Sequence, residues 1–280
     1  MTALTAAQTG RFERDGYVSG IPVLGRGEVA RFLETTERFE AEHPRDVAWA
    51  FDIKCNLVLD WVYANAVHPG ILDPVSQLIG RDLLLTNSVF RIKELGSPVN
   101  YGWHQDSARI VVTPLPAIVY VAFTEATSEN GCLAVIPGTH RAVAPFDLVS
   151  NPGQSNRRVA RVRDPDASRA VNLELGPGEI AIFSANLVHG SPANRSHKRR
   201  VAVLHDYTAT RARQSVGTGS GQLVMGEDRF GHFGREPAPG PDYLANAAVR
   251  RRILNAYPEN VLMGPLEPGA RPDFPDRPAA

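Results

Sequence analysis

Trp103-His104-Gln105-Asp106, answered far downstream by His189-Gly190-Ser191 and then by Arg200, is the stretch around which the rest of the chain can be organised. Side chains two apart on a β-strand leave the same face, so His104 and Asp106 offer an imidazole and a carboxylate side by side. A third ligand has to come from elsewhere, and His189 is the candidate. Two histidines and one carboxylate on one side of a metal ion leave three coordination positions open, the facial arrangement of non-haem Fe(II) sites. A His-X-Asp triplet alone is a weak motif, so its meaning depends on strands being found around it.

Strands are legible on both sides of it. Leu83 to Ile92, Ile110 to Thr113, Ile118 to Phe123, Leu133 to Ile136, Val171 to Leu175, Ile180 to Phe183 and Val201 to Leu204 are short and β-rich. Turn formers such as Gly96-Ser97-Pro98, Asn130-Gly131, Pro137-Gly138 and Gly176-Pro177-Gly178 separate several of them. Upstream, helices are expected over 5–16, over 27–42, where Val29, Phe32, Leu33 and Phe39 recur at near-helical spacing, and over 73–79. Asp73-Pro74 is the start signal of the last and Gly80 its stop. Helices followed by many short strands, without βαβ alternation, predict a mainly β fold with flanking helices (α+β) around a jelly roll or barrel. The mouth of such a barrel can hold a metal and a substrate.

One domain is expected over 1–280: a helical N-terminal part over about 5–80, a jelly-roll core over about 83–210, and a C-terminal loop, helix and tail over about 211–280. The turn-rich segments 141–170 and 211–240 are expected as surface loops able to cover the mouth. Gly217-Thr218-Gly219-Ser220-Gly221 is expected as a flexible loop, since no Gly-Lys-Ser/Thr follows it. The Pro, Gly, Arg and Asp-rich residues after Tyr257 read as a tail.

Thirty basic residues balance thirty acidic ones at a pI near 7.1, so the chain lacks the basic footprint of a nucleic-acid or anionic-membrane binder and points to a small-molecule substrate. No stretch approaches the roughly 18 apolar residues of a membrane span, and Met1 to Asp15 lacks an apolar signal core. Cys55 and Cys132 are the only cysteines, which speaks against a disulfide framework. A soluble cytoplasmic protein is the expectation.

Trp103 before the His-X-Asp pair, the runs Asn130-Gly131-Cys132-Leu133 and Ile136-Pro137-Gly138-Thr139-His140, and His189-Gly190-Ser191 resemble the phytanoyl-CoA dioxygenase family of Fe(II)/2-oxoglutarate oxygenases over roughly residues 10 to 210. The resemblance implies a double-stranded β-helix (jelly roll, cupin-like) with His104, Asp106 and His189 as iron ligands. It also implies that Arg200 holds the distal carboxylate of 2-oxoglutarate, that Ser191 hydrogen-bonds the same group, and that O2 is the co-substrate. A planar guanidinium suits that task because it grips a carboxylate through two parallel hydrogen bonds. Arg195 and Arg199 are rivals; alternation turns Arg199 away from the face of Arg200, and the family spacing selects Arg200. Relatives that halogenate carry a small residue in place of the carboxylate, so Asp106 speaks against that reaction.

Other polar residues lie near the motif. Asn87, Arg91 and Lys93 share one face of a strand by period two and are candidates to reach co-substrate or substrate, Asn87 on the co-substrate side. Tyr101 and Arg109 flank the metal motif and are candidate substrate contacts. Trp103 either packs as core or walls the pocket. His140, at the end of a tight Pro-Gly turn, is expected to be structural, and His205-Asp206, which imitates a second ligand pair, to lie on the substrate side at most. The reaction implied is oxidation of a C–H bond of a small molecule, most simply hydroxylation in natural-product tailoring or small-molecule metabolism, with epimerisation, cyclisation and desaturation as variants. A cupin-like metal dioxygenase or isomerase without 2-oxoglutarate is the alternative that Arg200 and Ser191 disfavour. Intact ligands disfavour a non-catalytic jelly-roll binding module.

Overall fold

Alternation along the strands sorts the side chains of this protein into two cores. The computed structural model describes residues 3–108, 112–150 and 158–257. Its helices are α1 (Ala6–Asp15), α2 (Arg26–Glu42), α3 (Val47–Ala50), α4 (Asp60–Ala66), α5 (Pro69–Ile79) and α6 (Tyr243–Ala256). The strands of the first half are β1 (Tyr17–Pro22), β2 (Leu83–Phe90), β3 (Tyr101–His104), β4 (Val112–Thr113), β5 (Ala117–Ala122), β6 (Leu133–Val135) and β7 (Phe146–Ser150). Those of the second half are β8 (Arg158–Val162), β9 (Val171–Leu173), β10 (Glu179–Ser184), β11 (His189–Ser191), β12 (Ala202–Ala209), β13 (Arg213–Gln214), β14 (Ser220–Met225) and β15 (Gly234–Arg235).

Among the described residues a seven-stranded sheet runs β1-β10-β5-β12-β2-β14-β15 and a six-stranded sheet runs β7-β8-β3-β11-β6-β9. Their pairings are antiparallel except that of β14 with β15. The two sheets face each other across a core to which the larger gives Ile118, Tyr120, Ala181, Phe183, Ala202 and Leu204, and the smaller Leu133, Val135 and Leu173. Residues between these on the same strands, such as Val119, Val121, Ile180, Ile182 and Val203, turn outward and pack with Phe32, Phe39, Val62 and Ile71 of the helices. This is the expected jelly roll, with helices covering the outer face of the larger sheet.

Capping fixes several helix ends. Thr5 and Gln8 form a reciprocal capping box on α1, and the carboxylate of Glu28 accepts the Gly25 N–H at 2.7 Å before α2. α5 starts four residues earlier than expected. His68 caps it, its Nδ1 accepting the Gly70 N–H at 3.1 Å, and Pro69 occupies the first turn, so Asp73-Pro74 falls inside the helix. Strands also form outside the expected 83–210 core and in a stretch inside it that was expected as loop. β1 and β14 belong to the larger sheet, β7 and β8 form a pair within 141–170, and Ser220 and Gly221, expected in a flexible loop, are buried at the start of β14. These segments are short and mix apolar with polar or glycine residues, so their ladder partners more than their patterning make them strands. The tail after Tyr257 lies outside the described residues.

The C-terminal part fastens the segment next to the site. Arg250 of α6 is buried over the Trp49 ring at 3.8 Å and donates to the Trp49 carbonyl at 2.7 Å, while Lys54 and Glu236 form a buried ion pair at 2.5 Å. Between these anchors lie Asp52 and Ile53, which line the cavity described below. Cys55 and Cys132 are buried, unpaired thiols.

His205 is fully buried on the helix-facing side of β12, where the Ser88 hydroxyl donates to Nδ1 at 2.8 Å and Nε2–H donates to Asn65 at 2.9 Å. Burial lowers its pKa to about 3. The unfolded chain takes up this proton near pH 6.5 and the folded chain does not, so the stabilisation is complete above that pH. It is lost at about 1.4 kcal/mol per pH unit below it. The fall in melting temperature between pH 7 and pH 5 should therefore be shallower in His205→Gln than in the parent; equal slopes would contradict this.

Candidate active site

β3 and β11 are hydrogen-bonded neighbours with His104 opposite His189, so one register brings two ligands distant in sequence to one spot. β3 ends at His104, and Asp106 follows in the turn after it. His104 Nε2 lies 3.4 Å from Asp106 Oδ1 and His189 Nε2 lies 3.5 Å from Asp106 Oδ2, with all three ligand atoms within 4.8 Å of one another. Each ring is oriented through its other nitrogen. His104 Nδ1 donates to the Gly102 carbonyl at 2.8 Å and His189 Nδ1 to the Leu187 carbonyl at 2.9 Å. Those bonds fix the tautomer and leave both Nε2 lone pairs aimed at a common point, the arrangement by which backbone carbonyls orient metal-ligating histidines.

Electrostatics supports the same reading. Burial opposes ionisation of Asp106, but the charge of His189 and a hydrogen bond from His104 outweigh it and hold the carboxyl at about 2. Burial, reinforced by the charge of His104, depresses His189 to about 4. Burial works against the His104 cation too, yet the Asp106 carboxylate raises its pKa overall. One neutral buried imidazole, a second beside it and one carboxylate form a donor set suited to a divalent metal.

Gln105, buried just past the end of β3, anchors the motif: its amide donates to the Ala142 carbonyl at 2.9 Å and accepts from the Ala144 N–H at 2.8 Å. Trp103 is half-buried; it packs with Ile136, Val162 and Val188 and lines an adjoining pocket that shares Tyr101, Gly102, Arg161 and Ser191 with the metal-side cavity, without lining that cavity itself.

From the three ligands a cavity runs to Arg200 and Ser191. Arg200 is 1% exposed, and its guanidinium donates to the Gly131 carbonyl and, at 3.2 Å, to the Ser191 hydroxyl. Its Nε and the hydroxyl of Tyr120, whose ring lies 5.9 Å beneath the guanidinium, are buried without a hydrogen-bond partner. Lys93, opposite Arg200 in the ladder, is buried as well, and burial together with the charge of Arg200 lowers its pKa to about 7. Its ammonium donates to the Ser191 and Pro192 carbonyls. Among the described residues, neither cation has a carboxylate partner. Arg199 faces the other way, paired with Glu40 at 2.5 Å and Glu94 at 2.9 Å, as alternation requires.

Of the remaining candidates, Arg91 and Tyr101 line the cavity, the guanidinium 5.4 Å from the ring centroid. Lys93 sits behind that wall. Asn87 is a correction: it does not line the cavity, because its amide is committed to the Lys54 N–H at 2.8 Å and to Asp206 at 3.0 Å. Arg109 lies outside the described residues. His140 stands apart from the three ligands.

Two residues at the site went unnoticed in the sequence. Tyr120 lies on a predicted strand as an ordinary core aromatic. Arg161 pairs with His104 across β3 and β8, so it shares the inward face; its guanidinium lies over Gly102, where an added Cβ would come within 2.8 Å of it. Only the strand register reveals that contact.

Comparisons with known proteins agree with this geometry. The model of the family described as phytanoyl-CoA dioxygenase (PhyH) matches residues 12–202. A probable phytanoyl-CoA dioxygenase of Caenorhabditis elegans is 30% identical over 217 residues, 69% of this chain and 68% of the relative. Among solved structures, the apo form of the non-heme monooxygenase ThoJ superposes with a TM-score of 0.80 at 25% identity, covering 91% of this chain and 97% of that one. CytC3 with Fe(II) and alpha-ketoglutarate gives a TM-score of 0.62 at 25% identity, covering 82% and 92%. Fold and site together define a non-haem Fe(II)/2-oxoglutarate-dependent oxygenase. The chain belongs to the phytanoyl-CoA dioxygenase family. Among the described residues no helix is long and apolar enough to cross a membrane.

Gly131 closes the turn beneath Arg200 at φ +74°, and a Cβ there would meet the Pro192 carbonyl oxygen at 2.1 Å. Left-handed strain alone costs an alanine about 1–2 kcal/mol. Gly131→Ala should therefore lower the melting temperature by at least a few degrees; an unchanged transition would show that the turn tolerates a side chain.

Proposed function

We propose that this chain holds Fe(II) through His104, Asp106 and His189 and oxidises a C–H bond of a small molecule, most simply by hydroxylation in natural-product tailoring or small-molecule metabolism, with succinate and CO2 as co-products. The observation that carries the co-substrate assignment is the buried Arg200 guanidinium, surrounded by neutral oxygens, with its own Nε and the Tyr120 hydroxyl unpartnered beside it. Buried polar groups normally find partners, and a buried cation needs an anion. A dicarboxylate entering from the metal end supplies that anion. When bound, iron, 2-oxoglutarate and O2 together supply an oxidant able to take a hydrogen atom from an unactivated C–H bond.

The residues perform separate parts of this work. Arg200, Ser191 and Tyr120 receive the distal carboxylate of 2-oxoglutarate, with Lys93 adding positive charge from behind the wall. Leu133, Val89 and Leu204 line the path between the anchor and the ligands and keep it apolar. Asp106 fills the position that halogenating relatives leave free, which favours oxygenation. Arg91, Tyr101 and Arg161 line the cavity wall near the metal ligands.

Substitution separates the two halves of the site. Asp106→Ala should reduce 2-oxoglutarate-dependent succinate formation to background. Arg200→Ala should instead raise KM for 2-oxoglutarate on the order of 100-fold, as expected for two charge-assisted hydrogen bonds. A parent-like KM in Arg200→Ala would remove the co-substrate assignment, and succinate formation by Asp106→Ala at the parent rate would remove the metal assignment.

A further inference from the structure

β12 acts as a ruler laid along the site. Arg200, just before it, and then Ala202, Leu204, Asp206 and Thr208 follow one another by period two on the inward face, whereas Val203, His205 and Tyr207 face the helices. Six residues at about 3.3 Å each separate Arg200 from Asp206 by roughly 20 Å along the strand. A five-carbon diacid spans only about 7 Å. An acid anchored at Arg200 and reaching the three metal ligands therefore stops short of Asp206, which lies beyond the metal position.

There the structure forms a second chamber, and Asp106 is in the wall of both this chamber and the co-substrate cavity. Its described lining includes Thr86, Ser107, Thr208 and Gln214 as neutral polar groups, with Asp206 as a second carboxyl. No lysine or arginine is among its described lining residues. Asp206 is held from one side only. Asn87 donates to Oδ2 at 3.0 Å and is itself pinned by the Lys54 N–H at 2.8 Å, so the carboxyl is fixed in direction. The other oxygen has no protein donor among the described residues. A half-buried carboxyl placed this way, fixed in direction by one neutral hydrogen bond, keeps its other oxygen free to accept from a ligand in the chamber.

The geometry points to Asp206 as a substrate-binding residue that receives a protonated amine, so that the substrate is an ammonium-bearing small molecule held beyond the metal on the side away from 2-oxoglutarate. This rests on the oxygenase reading for the position of the metal and extends it to the class of substrate. Asn87, which sequence alone places near the co-substrate, acts here as the positioning residue for Asp206. The neutral hydroxyls and amide around it accept or donate hydrogen bonds without competing for the charge.

Titration calorimetry at pH 8 with the protein loaded with Ni(II) and 2-oxoglutarate tests this, using n-butylammonium and its neutral isostere n-butanol as probes. The ammonium should bind at least about tenfold more tightly than the alcohol, the size expected of one charge-assisted hydrogen bond. Asp206→Asn keeps an oxygen for Asn87 and should fold as the parent does, with KM for 2-oxoglutarate within about twofold, yet lose the preference. Equal binding of the two probes by the parent, including no binding of either, overturns the proposal, as does a preference that survives in Asp206→Asn. A parent with no measurable KM for 2-oxoglutarate would count against the oxygenase reading alone, because the probe titration reads Asp206 without turnover.

Discussion

Burying Arg200 to 1% exposure removes its charge from water, and its hydrogen-bond partners are neutral: the carbonyls of Gly131 and Arg91 and the hydroxyl of Ser191. An uncompensated cation in a protein interior is expensive, and a second one, Lys93, lies opposite it in the ladder. Much of the local architecture follows from tolerating that pair. The Asn130-Gly131 turn presents a carbonyl to the guanidinium, Ser191 joins the same turn to β11, and Tyr120 offers its ring below. A site held in this way is ready for a dianion and repels a cation, which is why the charge of the expected co-substrate can be read from the protein alone.

The metal end is governed by backbone carbonyls. Gly102 and Leu187 each take the Nδ1 proton of a ligand histidine two residues further on, so the two rings are oriented by the strands that carry them. Because β3 and β11 are paired, their relative position is part of the sheet, and the turn that follows β3 brings Asp106 beside His104. β12 then connects the ends: its inward row begins at the cation, passes the apolar Leu204 and ends in the chamber of Asp206 and Thr208. Anchor, metal ligands and the distal chamber are thus spaced by β geometry, and sites built on rigid elements hold their geometry better than sites on loops.

Much of this was legible in the sequence where one face of a strand has a chemical task. Ile118 to Phe123, with its inward Ile118 and Tyr120, follows from period two; the pairing of His104 with Asp106 was also expected, although the strand ends at His104 and a turn carries the carboxylate. β7, β8 and β14 were not legible, because they lie in turn-rich stretches where short apolar runs are broken by polar or glycine residues and pairing with their partners defines them. α5 was mistimed because Pro74 resembles a start signal, whereas His68 and Pro69 provide the true one. Arg161 depends on facing His104 from a strand more than fifty residues away, a contact no local pattern encodes. Asn87 was assigned to the wrong partner for a related reason: its face was right, but its amide is taken by Lys54 and Asp206, and that competition is visible only in three dimensions.

The most direct test of the central claim is anaerobic titration of the Fe(II)-loaded protein with 2-oxoglutarate while watching for the visible metal-to-ligand charge-transfer band of bidentate chelation. A saturable band in the parent, absent from Arg200→Ala at the same 2-oxoglutarate concentration, is the expected result. Iron demonstrably bound with no band at any concentration would contradict it and favour a metal enzyme that does not use 2-oxoglutarate.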